Sequence, residues 1–243
     1  EMDKRFADGE RDEAFLYSYL NTLSSAYKRD QCNVVAEALL EGKAETFAGD
    51  KQLANVFMRH LTNPFCPAFV YTAKHPEALA ESMGDTPVRM KIRNVWSGYA
   101  REIITETGGT VTLDQEKMDK WLALMDECGV DKEEKEDLRL TTLMTYYEKK
   151  PDWNAYMECV TDYGTLFDIT DLMLCKWCTP VAKICKEEAP KKAAIALLQQ
   201  RVDDLDSGRR APQTKQGNMM LSGNMKKAME MLIDALNGKE VKM

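Results

Sequence analysis

The residues most able to do chemistry are the cysteines of Cys175-Lys176-Trp177-Cys178. A C-x-x-C at the start of a helix lowers a thiol pKa and supports disulfide exchange. Read in another register, Trp177-Cys178-Thr179-Pro180 mimics a Trp-Cys-x-Pro redox centre, but Val181 stands where the resolving cysteine belongs. The pair follows about a turn and a half of expected helix, so the helix dipole contributes little. No βαβ pattern surrounds it, as a thioredoxin-like site requires. A zinc site would need a second pair or a nearby histidine; Cys185 adds only a third thiol. Buried free thiols packing as small hydrophobes are the simpler reading of all seven cysteines, Cys32, Cys66, Cys128, Cys159, Cys175, Cys178 and Cys185. An odd number cannot pair completely within one chain.

The other reactive types are sparse or ordinary. With His60 and His75 the only histidines, a His-rich metal centre is excluded. The carboxylate pairs Glu133-Glu134, Glu136-Asp137, Glu187-Glu188 and Asp203-Asp204 sit among Lys and Arg at helical spacing, which suits solvated ion-pair faces. Arg89, Lys91, Arg93 and Arg101 flank Trp96 and Tyr99 on one expected helix. Cations there snorkel around core aromatics, or bind an anionic or carbohydrate partner. Phosphate loops, nucleophile elbows and His-Glu metal helices are missing. No catalytic, cofactor-binding or metal-ligating residue is therefore assigned, and no cofactor.

The elements that would position any site are helical. From Asp12, the stripe Phe15, Leu16, Tyr19, Leu20, Leu23 repeats with helical period, and Val34, Val35, Ala38, Leu39 form a second after the break at Lys28-Arg29-Asp30. A short link forces such a pair antiparallel. Further helices are expected over 51–61, from Pro67, from Pro76 to Gly84, over 86–104, from Asp114 to Gly129, from Asp131, from Pro151-Asp152, from Asp168 with a kink or split at Pro180, from Pro190, and from 218 to Gly238. Val111-Thr112-Leu113 is the one extended piece, too short to anchor a sheet. The segment 207–217 is polar and basic and reads as an exposed, mobile loop.

The expected fold is all-α, an irregular stack of antiparallel helical hairpins with about eleven or twelve helices. Second-helix starts near Asp152, Lys191 and Lys226 recur close to the roughly 34-residue period of tetratricopeptide (TPR) pairs, without that repeat's signature. Residues 1–109 and 110–243 divide as N-terminal and C-terminal hairpins, with packing as one continuous domain left open. Trp96, Trp121, Trp153, Phe57 and Leu143 are the expected core anchors.

At 243 residues and 27.7 kDa the chain is long enough to bury a core. Hydrophobic residues at 44% and charged residues at 30% exclude a disordered chain. A net charge of −7 argues against nucleic acid as a partner. No segment approaches the roughly 18–20 apolar residues that span a bilayer. The start at Glu1 is not a signal peptide and fits a fragment or processed product.

Lys4-Arg5-Phe6 with Gly9, then 15–20, 35–40, and Asn63-Pro64-Phe65-Cys66-Pro67-Ala68-Phe69 leading to His75-Pro76, resemble the helical region of Bacteroidetes thioredoxin-like proteins. The resemblance covers mainly residues 4–105 and carries structural motifs. It implies a helical part that follows a signal peptide and a thioredoxin-like domain holding the catalytic cysteines. The chain would then be a non-catalytic scaffold or interaction domain, accessory to an upstream thiol–disulfide oxidoreductase domain, in the cell envelope or periplasm. Without the resemblance a cytoplasmic location follows from the free thiols. A thiol oxidoreductase using Cys175 and Cys178, and a structural subunit of a larger assembly, stay open as alternatives. The expected partner is a protein or that upstream domain; oligomeric state is open.

Overall fold

The computed structural model describes residues 1–212 and 225–239, with the backbone of 215–216 and 219–220. Among these residues the chain is all-α, with fourteen α-helices and two small two-stranded sheets. Two helices beyond those expected are short ones, α1 (Met2–Ala7) and α8 (Ala100–Ile103).

Aspartates start many of the helices, as their spacing ahead of the apolar stripes predicts. Asp12, Asp50, Asp114, Asp131 and Asp152 each accept a hydrogen bond from a backbone N–H two or three residues on, at 2.7–3.2 Å. Each satisfies an orphan donor of its helix, a contribution of about 1 kcal/mol.

The chain divides into two compact units, Glu1–Glu106 with Thr112–Lys135, and Thr107–Val111 with Glu136–Met243. In the first, α2 (Glu13–Ser25) and α3 (Arg29–Leu40) pack as the expected hairpin, burying Phe15, Leu16, Leu20 and Leu23 from one and Val35, Ala36 and Leu39 from the other. Tyr27 lies between them at φ 56°. Lys28 N donates to Leu23 O and Tyr27 N to Ser24 O, so α2 closes in a Schellman turn with a tyrosine where glycine is usual. A 3-10 turn at Phe47–Gly49 places Phe47 on Phe57 of α4 (Lys51–His60), with ring centroids 5.0 Å apart. Then follow α5 (Pro67–Lys74), α6 (Pro76–Met83) and α7 (Asp85–Gly98), where Trp96 meets Phe69 edge-on at 4.8 Å.

The helix expected over 86–104 is interrupted at Tyr99, which divides it into α7 and α8, and it stops at Ile103. After α7 and α8 the chain enters β1 (Ile104–Thr107), which pairs with β2 (Thr110–Leu113) across Gly108-Gly109. Both glycines have positive φ, which the tight link requires. Next, α9 (Gln115–Glu127) groups with the first unit. Its Trp121 is fully buried, and Lys74 bonds Glu127 at 2.7 Å.

The second unit holds most of α10 (Lys132–Lys149), then α11 (Trp153–Leu166), α12 (Asp171–Ile184), α13 (Glu188–Asp206) and α14 (Met225–Leu236). Here α11 packs on α13, α12 on α13 and α14, and α13 on α14, the pattern of stacked hairpins. Trp153, Tyr156, Val160, Cys178, Val181 and Leu198 share the core, whereas Leu143 is only partly buried against it.

Pro180 neither splits α12 nor ends it. Proline removes a backbone donor and pushes back the carbonyl one turn earlier. The carbonyl that loses its helical donor is that of Lys176, and the Tyr156 hydroxyl donates to the neighbouring Trp177 carbonyl at 3.0 Å, tying this turn to α11. The helix also begins later than the sequence suggests. Thr170, not Asp168, caps it by accepting from Met173 N at 3.2 Å. Ahead of α14, β3 (Lys215–Gln216) pairs antiparallel with β4 (Met219–Met220), so the last helix does not extend back to Met219. Its expected start at Asn218, and the loop positions 213–214 and 217, lie outside the described residues.

Candidate functional site

A side-opening groove of about 550 Å³ lies in the second unit, where α11 turns into α12 beside α13. Leu166, Phe167, Leu174 and Leu197 give it an apolar wall, and Asp168, Gln200 and Arg201 a polar rim. Leu166 is half exposed and stands beside the other apolar lining residues of the groove. The wall is held close by Gly164: a Cβ there would stand 3.2 Å from Ile169 Cδ1. A glycine lets the 167–170 link fold back onto α11.

An ion network anchors this link. Arg201 Nη1 donates to Asp171 Oδ1 at 2.6 Å and to the Ile169 carbonyl at 2.7 Å. Arg210 grips Asp168 with two bonds, at 2.6 and 3.1 Å, and its Nε lies 3.3 Å from Asp171 Oδ1. Asp171 is fully buried. A buried carboxylate is costly unless paired and hydrogen-bonded, and two guanidinium groups meet that need. The Arg210 guanidinium holds the Asp168 carboxyl below the usual carboxylate range. Arg210 was expected in a solvated loop; instead its side chain is drawn inward by charges about forty residues earlier. Arg209, still exposed, pairs with Asp204 at 2.7 Å.

Cys175 and Cys178 lie within α12, facing the core. Burial pushes their thiols up to about 11 and about 12. A nucleophilic thiolate needs the opposite shift. All seven cysteines are free, and every one but Cys128 is buried. Among the described residues no three His, Cys, Asp or Glu side chains converge as metal ligands.

The carboxylate pairs separate into local roles. Glu136 pairs with Arg139 at 2.8 Å, Asp137 accepts from the Tyr163 hydroxyl at 3.0 Å, and Glu187 accepts from Asn154 at 2.8 Å. The basic helix does likewise. Arg89 pairs with Asp85, Trp96 is buried, and Lys91 donates to the Leu61 carbonyl at the end of α4. Burial pushes the Lys91 ammonium down to about 8.

Sequence reasoning missed the groove because its parts lie in three helices and the link after α11. One signal was present: Leu166-Phe167 are large apolar residues at the end of a helix. No family model, curated protein or solved structure matches the chain.

Proposed function

We propose that this chain is a non-catalytic helical scaffold that offers the groove beside Arg201 to a protein partner. The observation that carries the reading is the half-exposed Leu166 on an apolar wall braced by a paired Asp–Arg network. An apolar centre with a polar rim is how protein interfaces are built. The stacked hairpins supply a rigid frame, and the raised thiols support a structural role for Cys175 and Cys178. The resemblance to thioredoxin-like proteins supports one partner in particular, a thiol–disulfide oxidoreductase domain that the scaffold positions.

The reading frame upstream of Glu1 tests that partner: a strand pattern leading to Trp-Cys-x-x-Cys is expected, and a frame without one overturns the assignment. Calorimetric titration of that domain into the chain should give saturable heat, lost in Leu166→Asp; heat unchanged by the substitution removes the groove. In an insulin-reduction assay the chain alone should show no rate above buffer. A rate abolished by Cys175→Ser would instead make it an oxidoreductase.

A further inference from the structure

In the first unit, a second hollow of about 280 Å³ lies at the junction of α2 and α3 beside the end of α4. Its polar lining consists of Ser24, Tyr27, Arg29, Arg59, His60 and Thr62, and none of these is acidic. Asp30, the acid next in sequence, does not line it.

The polar side chains of this lining are unengaged. Arg5, Arg89, Arg139, Arg201, Arg209 and Arg210 each hold a carboxylate, whereas among the described residues Arg29 and Arg59, like Arg93 and Arg101, hold none. Among the described residues the side chains of Arg29 and Arg59 make no ion pair or hydrogen bond, and neither do those of Ser24, Tyr27, His60 and Thr62. Burial, then Arg59, then Lys91 push the His60 imidazole below its ordinary range. A bound anion would give these two guanidinium groups the counter-charge that the lining itself does not supply. The chain as a whole is acidic at −7, so this basic hollow is local.

We propose that this hollow is a binding site for a small phosphoryl oxyanion, clamped by Arg29 and Arg59 with hydroxyl donors from Ser24 and Thr62. Guanidinium forks match tetrahedral oxyanions, and hydroxyls complete the shell. The size suits a small ligand: pockets for drug-sized molecules span about 300–1,000 Å³, and this hollow has room for a phosphate or a short phosphomonoester. The chain's net negative charge disfavours an anionic membrane or a polyanion backbone. Tyr27, held at positive φ, stands at the rim.

Isothermal calorimetry with inorganic phosphate tests the site, using sodium chloride of equal ionic strength as the control. The full chain should bind phosphate saturably, and phosphate but not chloride should raise its melting temperature. Arg29→Gln and Arg59→Gln, both at exposed positions, should each weaken binding by about tenfold or more. Glycerol phosphate should compete, while vesicles with phosphate-headgroup lipids should not retain the protein. No saturable heat, equal stabilisation by chloride, or undiminished binding in both variants overturns the proposal; retention on the vesicles with no free-phosphate binding overturns it in favour of a membrane contact.

Discussion

Cys178 keeps its proton up to about 12 and Cys175 up to about 11, because a thiolate in the core of the second unit loses its hydration. An unfolded thiol titrates near ~9. Below that value both states hold the proton and stability is unaffected. Above it the unfolded chain releases protons that the folded chain retains, so stability falls as pH rises, by at most about 1.4 kcal/mol per pH unit and thiol. The urea midpoint should drop between about pH 9 and 11, and Cys178→Ala should give a shallower slope; equal slopes would place the Cys178 thiol in water. Tyr27 offers a gain instead of a loss. Its side chain is 86% exposed, so Tyr27→Gly forfeits little burial and relieves a left-handed backbone. Relief of about 1–2 kcal/mol, less the extra freedom of glycine in the unfolded chain, leaves a stabilisation of roughly 0.5–1 kcal/mol. A lower melting temperature would show that the ring makes contacts beyond the turn.

The link between α11 and α12 is where single changes reach furthest. Arg201→Ala removes the Nη1 donor that joins Asp171 to the Ile169 carbonyl, and leaving a buried carboxylate underpaired costs about 3–5 kcal/mol. Arg201→Lys should restore only part of it, since a lysine lacks the second nitrogen, Nη2, that lies 3.9 Å from Asp168. A chemical-denaturation loss below about 1 kcal/mol would mean that Arg210 alone suffices. Gly164→Ala drives a methyl against Ile169 and should cost about 1–3 kcal/mol, with Ile169→Val recovering part of it. Additive losses in the double variant would place the strain elsewhere. These contacts explain what could be read from the sequence. The helices were legible, because Asp12, Asp114 and Asp131 cap apolar stripes of clear period. The change to β1 was not, because Ile103-Ile104 continue the apolar stripe of α7 and a strand this short leaves no period of its own. The ion network was hidden by distance along the chain: Asp171 meets arginines 30 and 39 positions later, and no local pattern marks them as partners. Arg29 and Arg59 are separated in the same way and meet only through the packing of α3 on α4.

Across the whole chain, the two units each have a core with its own tryptophans, Trp96 and Trp121 in the first and Trp153 in the second. The cysteines divide likewise, with Cys32 and Cys66 in one core and Cys159, Cys175, Cys178 and Cys185 in the other. A buried thiol reacts with a solution disulfide only when its surroundings open, so its modification rate counts openings. These six side chains are thus built-in clocks that need no engineered probe. Under a slow thiol reagent, peptide mapping should find Cys128 modified first. Arg201→Ala should then quicken the four clocks of the second unit and leave Cys32 and Cys66 at their original pace. Acceleration of all six together would mean that the two cores open as one. Whichever compartment holds the protein, oxidation of its thiols is then governed by how often each core breathes rather than by the oxidant outside.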